Sequence, residues 1–174
     1  MQKLSNNFPG YVIASAINPR SQAKLVLDYK ITVSDNSYFM SNISRKAYFT
    51  SGLKETETYF EIDDSGKPWF ISLITTPQVA LNAKTVTSVI VTDAETGVTN
   101  TLSPADVITE YPWIDRIISE DYTKEKIEWY GELTEGYWNT LFGGLNINKP
   151  TTYAGNELWF VEVNGRTMFF TIIK

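Results

Sequence analysis

The stretch Tyr59-Phe60-Glu61-Ile62-Asp63-Asp64-Ser65-Gly66-Lys67-Pro68-Trp69-Phe70-Ile71-Ser72-Leu73 decides the fold class. Two runs rich in aromatic and β-branched residues flank Asp-Asp-Ser-Gly, a loop composition in which glycine takes positive φ without a steric penalty. The pattern predicts a β-hairpin. It recurs in Val89-Ile90-Val91-Thr92-Asp93-Ala94-Glu95-Thr96-Gly97-Val98-Thr99 and in Leu158-Trp159-Phe160-Val161-Glu162-Val163-Asn164-Gly165-Arg166-Thr167-Met168-Phe169-Phe170. In the third copy Asn164-Gly165 is the strongest signal, because a type I′ turn demands positive φ at both central residues and these two adopt it readily. Three locally closed hairpins make six strands, and their separation in sequence predicts an antiparallel or mixed sheet.

Outward from the hairpins, the N-terminal third is strand-like. Tyr11-Val12-Ile13 is a short apolar run. Lys24 to Val33 alternates, with Leu25, Leu27, Tyr29, Ile31 and Val33 on one face and Lys24, Asp28, Lys30 and Thr32 on the other, the pattern of a half-buried strand. After a turn at Ser34 to Ser37, the four-residue spacing of Phe39, Ile43 and Ala47 predicts a short helix with Arg45 and Lys46 on its outer side. Helices also fall between the second and third hairpins. Ser103 is a capping residue, Pro104 suits the first helical position, Asp106 favours the positive helix end, and Pro112 stops the element. A longer helix is predicted over 122–142, with Tyr122, Lys126, Trp129, Leu133, Tyr137 and Leu141 on one stripe, widened by Ile127, Tyr130 and Trp138. Burying a large apolar side chain contributes about 1.5–3 kcal/mol, so this aromatic helix is expected to cover the sheet. The expected architecture is therefore one α+β domain over residues 1–174: an antiparallel sheet of about six strands, the long aromatic-rich helix on one face, and a short helix. The apolar end, Met168 to Lys174, is expected either to be inserted into that sheet or to mark where a longer parent chain is cut.

Composition narrows the chemistry. The 174 residues include neither Cys nor His, which excludes thiolate nucleophiles, disulfides, Cys/His zinc sites, imidazole bases and Ser-His-Asp triads. A chain near this length buries roughly 70% of its unfolded surface and needs no crosslink to fold. The net charge of −5 is uneven. Residues 1–54 carry seven bases and two acids, a net of +5, and the remaining 120 carry eight bases and eighteen acids, a net of −10. Neither part has the dense basic face of a nucleic-acid binder. No apolar run reaches the length of a membrane span. Phe8 to Ile17 ends in a cleavage-like Ala14-Ser15-Ala16, but the lone Lys3 before it and Pro9-Gly10 within it argue against a secretion signal. Any membrane anchor is expected to lie outside these residues.

Two stretches, Phe60 to Trp69 and Val89 to Gly97, resemble the strand-turn-strand phrases of cystatin-like modules of the PepSY type. The strings Tyr111-Pro112-Trp113-Ile114-Asp115-Arg116, Trp129-Tyr130-Gly131 and Gly136-Tyr137-Trp138-Asn139 resemble segments of large bacterial envelope proteins that carry such modules. The likeness covers roughly residues 59–142 and sets a cystatin/PepSY-like part, 55–174, apart from the basic part, 1–54. It implies a helix packed on an antiparallel sheet, a non-catalytic interaction role with a protein or peptide partner, and a place at the bacterial cell envelope. It supplies no catalytic residues, and no cofactor or metal is expected.

Several residues are candidates for interaction. Glu57, Glu61 and Asp63 lie at alternate positions and share a face of one strand, which suits a hard cation or a carboxylate-based glycan site. The same run fails the pattern of a calcium loop, because Ser72 stands where a bidentate Glu is required, and a solvated face with turn chemistry is the simpler reading. Arg45 and Lys46 mark the basic region. Trp113, directly after Pro112 in a connection, is the tryptophan expected to be partly exposed, with core burial expected for at least three of the five.

Overall fold

The computed structural model describes residues 7–15, 18, 20–54, 56–77, 84–133, 141–142, 151, 158–163 and 166–172. They fall into two compact units, Met1–Thr75 with Thr87–Ile114, and Thr76–Val86 with Asp115–Lys174. Neither border lies near Lys54, where the charge changes sign.

The first unit holds most of a four-stranded sheet, of which residues 76–77 and 84–86 are counted with the second. Its strands are β3 (Thr56–Ile62), β4 (Pro68–Pro77), β5 (Lys84–Asp93) and β6 (Thr99–Leu102), in the order β3-β4-β5-β6, preceded by a small ladder of β1 (Tyr11–Ile13) with β2 (Lys24–Val26). The two predicted hairpins are present. Phe60 faces Phe70 and Glu57 faces Leu73 across β3–β4, while Val89 faces Leu102 across β5–β6. Their turns use Gly66 at φ 88° and Gly97 at φ 71°, values that burden any residue with a Cβ. The central strands are buried on both faces: Ile71, Leu73, Val89 and Ile90 have no exposed surface.

Two helices belong to this unit. α1 (Ile43–Thr50) is capped by Asn42, whose Oδ1 accepts from the Arg45 N–H at 2.8 Å. Its Ala47 packs with Ile74 and Ile90, and Ile43 packs with Ile31, Val33, Phe70 and Ala94. α2 (Pro104–Glu110) starts as the sequence predicts: Ser103 Oγ accepts from the Asp106 N–H at 3.2 Å and donates to its carboxylate at 2.6 Å. Val107 is its buried anchor.

The second unit holds α3 (Glu120–Leu133) and the antiparallel pair β7 (Trp159–Val163) with β8 (Arg166–Phe170). The α+β class and the antiparallel pairing are as expected, but the single six-stranded sheet is not. The third hairpin forms a ladder of its own, and the chain-terminal strand pairs with β7 instead of entering the larger sheet. Local turn chemistry determines that two strands pair with each other; it says nothing about which sheet they join. α1 places Ala47 against Ile74 and Ile90 of the sheet, while α3 belongs to the other unit. Of the predicted long helix, residues 134–140 lie outside the described residues, as does the Asn164-Gly165 turn. Tyr130, expected on the buried stripe, is 73% exposed.

The N-terminal alternation also departs from expectation. The strand ends at Val26, which is buried, while Leu25 and Leu27 are exposed. The chain bends at Asp28-Tyr29, and the following residues dock on the β5–β6 turn: the Thr32 N–H donates to Ala94 O at 2.9 Å, and its Oγ1 donates to Glu95 O at 2.6 Å. Those bonds replace the ladder that a continuous strand would have made. Phe39 lies in a 3-10 turn (Phe39–Ser41) ahead of α1 and points to solvent, so only Ile43 and Ala47 of the proposed stripe are core.

Candidate functional site

Antiparallel hairpins place the β3–β4 and β5–β6 turns at the same end of the sheet, and an Asp opens each turn. Asp63 Oδ1 accepts from the N–H groups of Ser65 and Lys67, both at 2.9 Å, and from Ser65 Oγ at 2.6 Å. Asp93 Oδ1 accepts from the N–H groups of Glu95 at 2.8 Å and Thr96 at 3.2 Å. Both are the short side chain to backbone closures that Asp favours in turns.

Of the second oxygens, that of Asp93 ties the two hairpins together and that of Asp63 braces the first hairpin. Lys67, the last residue before β4, donates from Nζ to Asp93 Oδ2 at 2.8 Å, and the Trp69 indole donates from Nε1 to Asp63 Oδ2 at 2.9 Å. The Lys67 ammonium also sits 4.7 Å from the centre of the Trp69 ring, a cation–π contact. Trp113 lies 5.6 Å from Trp69 at a 37° tilt, and Tyr111 meets both rings edge-on at 6.0 and 5.9 Å. Asn100 on β6 donates to the Tyr111 hydroxyl at 2.9 Å. Four separate segments thus converge: both turns, β6, and the residues that follow α2.

The electrostatics follow from this bonding. Burial alone would raise the Asp63 carboxyl, but the bonds from Ser65, Trp69 and Lys67 outweigh it and hold the group below its ordinary value. Asp93 behaves likewise: burial opposes ionisation, while Lys67, Thr96 and Glu95 favour it and prevail. Lys67 is raised, chiefly by its hydrogen bond to Asp93, against a smaller desolvation effect. Carboxylates held anionic carry no proton to donate, and a lysine held protonated is no nucleophile. The cluster is fitted to hold two hairpins in one sheet.

The sequence-predicted residues are dispersed over the first unit. Asp63 and Trp113 belong to the cluster at the turns. Trp113 is half-buried, as are Trp69, Trp129 and Trp159, so Trp113 does not stand out among the described tryptophans. Glu57 and Glu61 are half-buried on β3, an edge strand, opposite Leu73 and Trp69. Charged side chains at such positions protect a sheet edge from pairing with foreign strands. Among the described residues, no three acidic groups are placed to hold a metal ion. Arg45 is exposed on α1, whereas Lys46 is half-buried and its Nζ donates to Gly97 O. Sequence reasoning missed Lys67, Trp69, Asp93 and Tyr111. A usable signal was present: Asp opens each turn, three residues before Gly66 and four before Gly97.

In the second unit, Asp115 to Ile118 with Thr167 and Phe169 line an open recess of about 80 Å³. Among the described residues, no helix is long and apolar enough to cross a membrane. No protein-family model, curated protein sequence or solved structure matches the chain.

Proposed function

We propose that the protein is a non-enzymatic protein- or peptide-interaction module that takes its partner by strand addition at β6. The observation that carries this reading is the asymmetry of the two sheet edges. On β3, Glu57 and Glu61 are edge charges of the kind that discourage pairing. On β6, Thr99-Asn100-Thr101-Leu102 has no charge and no proline, Asn100 and Thr101 are exposed, and Val98 just before them is 63% exposed. An uncharged edge offers its backbone N–H and C=O groups to an extended peptide, and the alternate side chains supply selectivity. The likeness of the hairpin phrases to cystatin-like modules favours the same kind of role, within a bacterial envelope-associated or assembly protein.

The alternative, a carboxylate-based ligand, metal or glycan site on the strand around Glu57 to Asp64, has no comparable support, because Asp63 is committed to its turn and to Trp69. Photo-crosslinking tests the reading. A benzophenone side chain at Asn100 captures one partner from the native extract, and Thr101→Lys abolishes the capture without changing the melting temperature. Capture from Phe60 on β3 and none from Asn100 contradicts it.

A further inference from the structure

We propose that the surface built by residues 38–54 docks on an anionic lipid bilayer, independently of β6. From Asn36 to Lys54 the chain holds Arg45, Lys46 and Lys54 and no acid, in a protein whose net charge is −5. The fold turns this stretch outward. Tyr38, Phe39 and Met40 project ahead of α1 with 53%, 78% and 58% of their surface exposed, and Tyr48, Phe49 and Leu53 project at its other end with 44%, 56% and 58%. The core-facing side of α1 is already occupied by Ile43 and Ala47, so these six side chains are left to solvent as two apolar lobes, one at each end of the helix. An eight-residue helix is about 12 Å long, and it separates the two apolar lobes with Arg45 exposed between them.

Backbone conformation supports a role for the display. Phe39 has φ 53° and Leu53 has φ 67°, a left-handed region that bulky side chains rarely enter and that persists where the surroundings impose it. The available positive charges are Arg45 and Lys54, since Lys46 is engaged by Gly97 O. The stretch is bordered by two acids, Asp35, which accepts from Ser44 Oγ at 2.6 Å, and Glu55, directly after Lys54. A small molecule requires a concave cleft, and an acidic protein requires a recess matched to each projecting side chain. A bilayer accepts projecting apolar groups anywhere at its headgroup boundary, and anionic headgroups attract the flanking cations.

Co-sedimentation with equimolar phosphatidylcholine–phosphatidylglycerol vesicles, set beside pure phosphatidylcholine vesicles, tests the proposal. A chain of net charge −5 is repelled as a whole by anionic lipid, so preferential binding identifies a local cationic face. The expected result is binding to the anionic vesicles that weakens with salt. Phe39→Asn with Phe49→Gln abolishes it, and Asn suits the left-handed backbone at position 39. Arg45→Gln with Lys54→Gln weakens it by a factor of about ten or more, from roughly fivefold per surface charge. An unchanged near-ultraviolet dichroism spectrum shows that the variants remain folded. Absence of binding to anionic vesicles overturns the proposal, as does equal binding to both vesicle types. A change of oligomeric state in Phe39→Asn/Phe49→Gln without any vesicle binding assigns the face to a second copy of the chain and also overturns it. Thr101→Lys retains vesicle binding, which separates this surface from the β6 edge.

Discussion

In the four-stranded sheet Ile71, Leu73, Val89 and Ile90 have lost all contact with solvent, whereas along β7–β8 the side chains of Val161, Val163, Met168 and Phe170 keep 40–47% of their surface exposed. Both regions are hairpins of β-branched and aromatic residues. They differ in whether the hairpin has a neighbour: β4 pairs with β5 in the first, while β7–β8 is a two-stranded sheet. In the first unit Lys67 reaches from one hairpin to Asp93 of the other, beside the Asp63–Trp69 bond, and Trp113 and Tyr111 close over the pair. In β7–β8 the aromatic contact is internal, Trp159 against Phe170 at 5.4 Å. An isolated two-stranded hairpin is marginal in water, and a sheet of three or more strands with a covered face is not. A hairpin therefore becomes part of a durable sheet through the groups that bind it to its neighbour.

That contrast can be broken at several points. Leu73→Ala, which opens a cavity in a fully buried site, is expected to lower the unfolding free energy of the first unit by about 2–5 kcal/mol, measured by urea denaturation. Lys67→Met leaves the Asp93 carboxylate, 12% exposed, without its ion-pair partner; a loss of about 1.5–3 kcal/mol is expected, the range for hydrogen bonds to charged groups. The same pair governs pH dependence. Asp63 and Asp93 are held below the ordinary 3.8, so unfolding takes up protons, and their stabilisation is complete above that value and lost as pH falls through their lower folded values. Lys67 is raised above 10.5, so its contribution is complete below 10.5 and lost as pH rises through its folded value. Melting temperature against pH should show both limbs, with Asp93→Asn flattening the acid one. Ser103→Ala, which removes the cap of α2, is expected to cost about 1 kcal/mol. Met168→Gln, on the half-exposed face of β8, should change stability by no more than about 0.5 kcal/mol, and a loss as large as that of Leu73→Ala would erase the distinction between the two regions.

Much of the fold was legible because it is fixed within a few residues. The Asp63–Gly66 and Asp93–Gly97 turns and the Ser103-Pro104 helix start are local chemistry, and each is found where the residues place it. What failed depended on distant segments. The alternation from Lys24 to Val33 reads as one strand, yet the backbone of Thr32 bonds to Ala94 and Glu95, more than sixty residues away. Phe39 fits the helical spacing of Ile43 and Ala47, but Asn42 caps α1 and leaves it outside the helix. Of the candidate site, Asp63 and Trp113 were identified singly. Their common cluster was not, because Lys67, Asp93 and Tyr111 meet only when the two turns stand side by side. That the acidic strand is an edge was not legible either, because strand order depends on how the hairpins pair with one another.

Native-state hydrogen exchange tests most directly the claim that the β4–β5 pairing, braced by the Lys67–Asp93 bond, makes two hairpins one cooperative sheet. The backbone amides of β4 and β5 that bond within the sheet should exchange only through opening of the whole first unit, and together, while those of β7–β8 exchange at a lower opening free energy. In Lys67→Met the β3–β4 and β5–β6 amides should separate into two classes of different protection. Equal protection of all three hairpins in the wild type, or a single unchanged class in Lys67→Met, would contradict the account.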